Sequence, residues 1–199
     1  AFDWRDMGQA ERAIGQRRRQ VMDLLYQHCP DPQLIEVFRL KYDYHNIKAI
    51  LKGDAQRVDP LPLLSDAALI PPKDLARMMR ENAKEMLDRT SDPQLSDMVL
   101  DRAETRQTLE TAQASGSDFL LGYVRRSIDC NNLRTALRLS RMGKGLDYAQ
   151  RAVNPGGSIA PEAFYEPMTP EYIDKLLAGT PLEPATESAR QALEGGGFA

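Results

Sequence analysis

Apolar residues recur every three or four positions along most of this chain, which is the spacing of a helix with a buried face. Proline and glycine divide the pattern into segments, because proline cannot continue a helix and glycine often ends one. No stretch alternates strictly between apolar and polar residues, so no strand is predicted. The pattern therefore predicts an all-α protein, with helices over residues 3–28, 31–52, 73–88, 92–114, 117–142, 146–153, 169–178 and 185–194.

The second predicted helix carries apolar residues on more than one face, so we expect it to be buried on most sides. Asp31 is expected to cap its first turn, with Pro32 at the first helical position. Gly53 is expected to end it. The face left for water carries the lysines Lys41, Lys48 and Lys52.

One polar pattern occurs twice, in the second and the fifth predicted helices. Residues 40–52 and 126–138 share one consecutive pattern: an apolar residue, Asp, any two residues, Asn, an apolar residue and a base. The two copies are separated by a constant offset of 86 residues. An internal repeat indicates a fold built from copies of one unit, whereas a catalytic constellation usually occurs once. The matched pairs are Asp43 with Asp129, Asn46 with Asn132, Lys48 with Arg134, Leu51 with Leu137 and Lys52 with Arg138.

The repeated asparagines and aspartates are predicted to have a structural role. Asn46 falls on an apolar stripe of its helix, and a buried amide without partners costs about 1–3 kcal/mol. We expect Asn46 and Asn132 to pair with free backbone groups at the end of a neighbouring helix. Asp43 and Asp129, one turn earlier, are expected to pair with Lys or Arg or to accept from a backbone end.

Other candidate chemistry is weak. His45 is replaced by Asn131 in the second copy, so the repeat tolerates the loss of an imidazole, and a packed or surface histidine is expected. The glycine-rich segments 142–145 and 155–158 do not form Gly-x-x-x-x-Gly-Lys-Ser/Thr, and we interpret them as a helix end and a turn. We therefore predict no catalytic residue, no metal site, no cofactor and no small-molecule substrate.

Charge is distributed unevenly in a chain whose 42% apolar and 28% charged content is typical of globular proteins. Residues 123–145 hold six bases and one acid, while residues 160–199 hold seven acids and two bases. The two regions either neutralise each other within the fold or leave a basic face for an acidic partner. That face would be the stripe Arg134, Arg138 and Arg141, whose spacings of four and three place them on one side of a helix.

The repeated strings resemble the C-type stalk component of the rotary V-type and A-type ATP synthases, whose eukaryotic V-ATPase counterpart carries the letter d. Residues 41–48, Lys-Tyr-Asp-Tyr-His-Asn-Ile-Lys, are similar to the first signature of that family, and residues 117–138 to the second. The stretches 92–101 and 155–159 agree in order and spacing, and the resemblance extends over residues 25–195. Family members carry more helix at both ends, so the chain resembles a fragment or a shortened form.

The resemblance implies a pseudo-symmetric helical funnel of three similar units. This chain would hold about two of them, in a single domain over residues 1–199 with repeat signatures at 37–52 and 123–138. It also implies a non-catalytic subunit, peripheral on the cytoplasmic face of the membrane. Its partners would be the central-stalk subunits and the membrane rotor ring, and its role would be to couple rotation to proton or sodium transport.

Without the resemblance, the residues leave open a generic helical adaptor or a nucleic-acid-binding repeat protein. The net charge of −3 and the lack of aromatic residues interleaved with the bases argue against nucleic acid. Genes for stalk and ring subunits beside the gene for this chain would distinguish these classes from a rotary ATPase subunit.

Overall fold

A computed structural model of the chain describes residues 7–87 and 93–195. Within these ranges it contains eight α-helices and no strand, which confirms the predicted all-α fold. No described helix has an apolar stretch long enough to cross a membrane. Short 3-10 turns lie at Leu61–Leu63, Pro161–Phe164 and Glu183–Ala185. The helices are α1 (Met7–His28), α2 (Gln33–Gln56), α3 (Pro72–Leu87), α4 (Pro93–Ala114), α5 (Asp118–Arg141), α6 (Leu146–Ala152), α7 (Pro170–Leu177) and α8 (Thr186–Leu193).

Side-chain caps begin the helices close to the predicted positions. The Ser117 hydroxyl accepts from the backbone N–H of Leu120 at 3.3 Å, which caps α5. The Thr169 hydroxyl accepts from the N–H of Tyr172 at 3.2 Å and caps α7. Asp31 accepts from the N–H of Gln33 at 3.1 Å, but the N-cap of α2 is Pro32 and the helix begins at Gln33, so the expected placement of Pro32 is one residue off. Asp92, predicted to open the fourth helix, lies outside the described residues.

The expectation that Gly53 ends α2 is wrong. The helix continues to Gln56 and ends where Arg57 adopts a left-handed φ of 57°. Gly53 is buried, and a Cβ on it would lie 2.9 Å from Pro60 Cβ and 2.9 Å from the Val58 carbonyl oxygen. The glycine is therefore required by the close return of the chain after the helix, because any side chain there would overlap the returning segment.

The chain divides into two compact units, Ala1–Ser115 and Gly116–Ala199, and one repeated string lies in each. In the first unit, α2 packs against α1, α3 and α4. In the second unit, α5 packs against α6, α8 and the Pro161–Phe164 turn. Each unit is thus organised around the long helix that carries its polar string. The core of the second unit contains Leu133, Ala136, Leu137, Val153, Phe164, Met168, Ile173 and Leu177.

Candidate functional site

The polar string of α2 binds the connection between α2 and α3. Asn46 and Asp43, only 0% and 5% exposed, lie one turn apart on the same side of the helix. The Asn46 side chain accepts from the N–H of Ser65 at 2.7 Å and donates to the Ser65 carbonyl at 3.0 Å. The Asp43 carboxylate accepts from the N–H groups of Ile70 at 2.9 Å and Leu69 at 3.2 Å. We call Asp43 and Asn46 the first clamp.

The polar string of α5 makes the same four hydrogen bonds in the second unit. Asn132 accepts from the N–H of Asn154 at 2.8 Å and donates to its carbonyl at 2.8 Å. Asp129 accepts from the N–H groups of Ser158 at 2.8 Å and Ile159 at 3.1 Å. Both side chains are only 1% exposed. We call Asp129 and Asn132 the second clamp.

Each asparagine binds backbone directly after the end of a short helical segment, as expected: Ser65 follows Leu64, the C-cap of the Leu61–Leu63 turn, and Asn154 follows Val153, the C-cap of α6. A loop that crosses a helix has backbone N–H and C=O groups that no regular structure satisfies. An amide carries both a donor and an acceptor, and can therefore pair both backbone groups of one residue. A carboxylate can accept from two successive N–H groups, as it does just before the next helical segment in each unit.

The clamped loops repeat at a different offset from the helices. Ser65 and Asn154 are 89 residues apart, as are Leu69 and Ser158, whereas the clamp residues are 86 apart. The connection in the second unit is therefore three residues longer, and it contains α6. The sequence pattern did not reveal these partners. One signal for them was proline at the same offset, since α3 begins at Pro72 and the following 3-10 turn of the second unit begins at Pro161.

An arginine strengthens the first clamp only. The Arg39 guanidinium donates to the carbonyls of Ala67 at 3.1 Å and Ala68 at 2.6 Å. Burial raises the pKa of Asp43 above its usual value, although the two backbone N–H groups and nearby Arg39 act in the opposite direction. At the corresponding position of α5, Arg125 is exposed, and the structure shows no such bond for it among the described residues.

The second clamp instead requires a glycine. A Cβ on Gly157 would lie 1.9 Å from Asp129 Oδ1 and 2.8 Å from its Cγ. The preceding Gly156 has a φ of 103°, which L side chains rarely adopt. The glycine pair at 156–157 therefore allows the loop to approach the buried carboxylate closely.

Two lysines of α2 form ion pairs with α4: Lys52 is exposed, as expected, whereas Lys48 is partly covered and does not simply face water. Lys48 pairs with Asp101 and with Glu104, the latter at 3.6 Å, and Lys52 pairs with Asp97 at 2.9 Å. Burial opposes the charge of Lys48, but the hydrogen bond to Asp101 and the charges of Asp101, Glu104 and Asp97 together outweigh it, so the pKa of the ammonium is raised. For Glu104, burial is the main cause that raises the pKa of the carboxyl, and the positive charge of Lys48 acts in the opposite direction. These bases therefore join two helices of one unit.

The arginine stripe of α5 is exposed. Arg134, Arg138 and Arg141 form no ion pair with any residue in the described ranges. The acids that follow do not neutralise it there: Asp174 pairs with Arg190, and so does Glu187 at 3.8 Å. Of the two alternatives for the basic region, the described residues show the stripe open to solvent.

No chemistry is apparent at His45. Its ring is exposed, and Nε2 lies 3.1 Å from the Leu63 carbonyl oxygen. Across residues 7–87 and 93–195, no three His, Cys, Asp or Glu side chains are grouped so that they could hold a metal ion. The arrangement of the clamps can hold loops onto helices, and the stripe can bind acidic groups.

The comparison with protein families establishes the family of this chain. The model of the family described as ATP synthase (C/AC39) subunit matches residues 5–197. This chain belongs to that family. The resemblance inferred from the repeated strings is thereby confirmed.

One curated relative is the C-type subunit of the V-type sodium ATPase of Enterococcus hirae. It is 22% identical to this chain over 165 residues, which cover 75% of this chain and 50% of the relative. The chain therefore spans about half the length of the curated relative it matches. No solved structure gives a significant match.

The asparagine of each clamp is expected to contribute to stability. Asn46→Leu and Asn132→Leu keep the approximate side-chain volume but leave an N–H and a C=O without partners, at Ser65 and Asn154 respectively. We expect each change to lower the free energy of unfolding by about 1–3 kcal/mol, measured by urea denaturation. Asn131→Leu, at the exposed position beside Asn132, is the matched control and should change it by less than about 0.5 kcal/mol. Wild-type stability in both clamp variants would contradict a structural role.

Gly157→Ala is expected to disturb the second clamp, because the new Cβ overlaps the Asp129 carboxylate. We expect a loss of about 1–3 kcal/mol in unfolding free energy. Gly122→Ala, in α5 with nothing within 4 Å of the added Cβ, should be neutral or stabilising by up to about 1 kcal/mol. In a chain that already carries Asp129→Ala, the cost of Gly157→Ala should shrink, since the overlapping group is gone. An equal cost in both backgrounds would mean that another contact holds the loop.

Proposed function

We propose that this chain is a non-catalytic subunit of a rotary V/A-type ATPase, located between the central stalk and the membrane rotor ring on the cytoplasmic side. The main support is the family match, which extends over residues 5–197. The relative in Enterococcus hirae is named as part of a V-type sodium ATPase.

The clamps are consistent with a mechanical role. A subunit that transmits torque must resist sliding of its helices and loops against one another. Each clamp ties a loop to a long helix by four hydrogen bonds, made by side chains that are at most 5% exposed. Moving the loop by one residue would leave these groups unpaired in a buried site. On this proposal the buried polar groups fix the register of each unit, and the two units are two of the three in a funnel.

Assembly with neighbouring subunits tests the proposal. The chain should co-elute at a fixed stoichiometry with stalk or ring subunits from the same organism when they are co-expressed and separated by size exclusion. The control is the same separation with each partner omitted. If the chain elutes by itself in the presence of both the stalk subunits and the ring, the proposed location is wrong.

The isolated chain is expected neither to hydrolyse ATP nor to bind it tightly. The glycine-rich segments are used otherwise: Gly143, with a φ of 62°, follows the end of α5, and Gly157 contacts the second clamp. Neither segment lies between a strand and a helix in the described structure. Isothermal titration with Mg-ATP should show no saturable heat. Micromolar binding at one-to-one stoichiometry would contradict a purely structural subunit.

A further inference from the structure

The two bases that follow each clamp have different surroundings in the two units. At the offset of 86 residues, Lys48 and Lys52 of α2 correspond to Arg134 and Arg138 of α5. The lysines form ion pairs with carboxylates of α4, whereas neither arginine forms an ion pair within the described residues. The first unit therefore shows what this face of the repeated helix is able to bind.

The helix that covers α2 binds it in a defined direction. Lys48 pairs with Asp101. Lys52 lies one turn after Lys48 along α2, and it pairs with Asp97, which lies one turn before Asp101 along α4. One turn before Lys48, the Tyr44 hydroxyl donates to Gln107 at 2.8 Å. The two helices are thus antiparallel, and the carboxylates that serve the lysines lie on α4 at spacings of four and three residues. This cover leaves the Lys48 side chain 23% exposed.

The matching bases of α5, Arg134 and Arg138, are exposed. α8 packs on α5 through a cluster that includes Ala189, Ala192 and Leu137, but it has eight residues where α4 has 22. The carboxylate of Glu187 on α8 pairs with Arg190 of the same helix. Arg134 and Arg138 remain without an acidic partner in the part of the chain that the structure describes.

We propose that the face of α5 around Arg134 and Arg138 binds an acidic helix of a partner protein, antiparallel to α5, as α4 binds α2. The partner helix carries carboxylates at spacings of four and three residues. Guanidinium groups suit this role, because they bind carboxylates through two parallel hydrogen bonds. Arg141 corresponds to Ala55, which has no pairing group, so it contributes less than the other two. The inference rests on the proposed function, since it assigns a surface to an assembly subunit.

The test uses the full chain and a fluorescein-labelled peptide with the sequence of residues 93–114, which is the acidic helix that the first unit binds. Fluorescence anisotropy should show binding that weakens with salt. Arg134→Glu with Arg138→Glu should weaken it by about tenfold or more, as expected for the loss and reversal of two exposed pairs. Arg141→Glu should have a smaller effect. The control is Arg125→Glu, an exposed arginine about 180° away around α5 at 100° per residue, which should leave binding unchanged.

A charge exchange makes the test specific. A peptide carrying Asp97→Lys and Asp101→Lys should bind the Arg134→Glu/Arg138→Glu chain more tightly than it binds the wild type. The inference is overturned if the acidic peptide does not bind, or if the double variant binds it as well as the wild type does. It is also overturned if the lysine-substituted peptide does not bind the double variant more tightly than the wild type. Equal binding of double-stranded DNA through the same arginines would also overturn it, in favour of a nucleic-acid surface. Co-elution with stalk or ring subunits tests the proposed function separately, so either can fail without the other.

Discussion

The structure of each unit depends on the hydrogen bonds between one helix and the backbone of the loop that crosses it. Burying an unpaired N–H or C=O group costs more than a made hydrogen bond contributes, so a loop can lie against a helix only if its polar groups find partners. Asn46 and Asn132 supply a donor and an acceptor to a single loop residue. The aspartates one turn earlier supply two acceptors to successive N–H groups. The same solution occurs in both units.

The clamps also determine where the core residues that follow them are placed. In the first unit, the clamped loop leads into α3, which begins at Pro72 and contains the buried residue Leu75. In the second unit, the clamped loop leads into the 3-10 turn that begins at Pro161 and contains the buried residue Phe164. These residues lie at the offset of the loops, 89, and not at the offset of the helices. The hydrogen bonds therefore set the register for the apolar packing that follows them, even though α3 and the short turn differ in length.

Charged residues of the same repeated string serve different ends in the two units. In α2 the bases pair with carboxylates of α4 within one unit, while in α5 the matching bases form no ion pair within the described residues. In the proposed function, this difference separates residues that hold the chain together from residues available to a partner. The family assignment supports the proposed function, and the exposed arginines are a candidate contact surface for it.

The fold class, most helix boundaries and the family follow from the order of the residues alone. Caps such as Ser117 and Thr169 act on the nearest turn, so a local pattern is sufficient to locate them. The repeated string also marked Asp43, Asn46, Asp129 and Asn132 as residues with a shared role. It did not identify their partners, because the partners are backbone groups, which every loop residue carries whatever its side chain.

The remaining features depend on contacts that form only when the chain has folded. Gly53 did not end α2, since its role depends on the return of Pro60 from outside the helix. Lys48 was assigned to water, because periodicity shows which face of a helix is apolar but not which helix covers its polar face. The need for Gly157 likewise depends on a carboxylate that is 28 residues away in the chain and in contact with it in space.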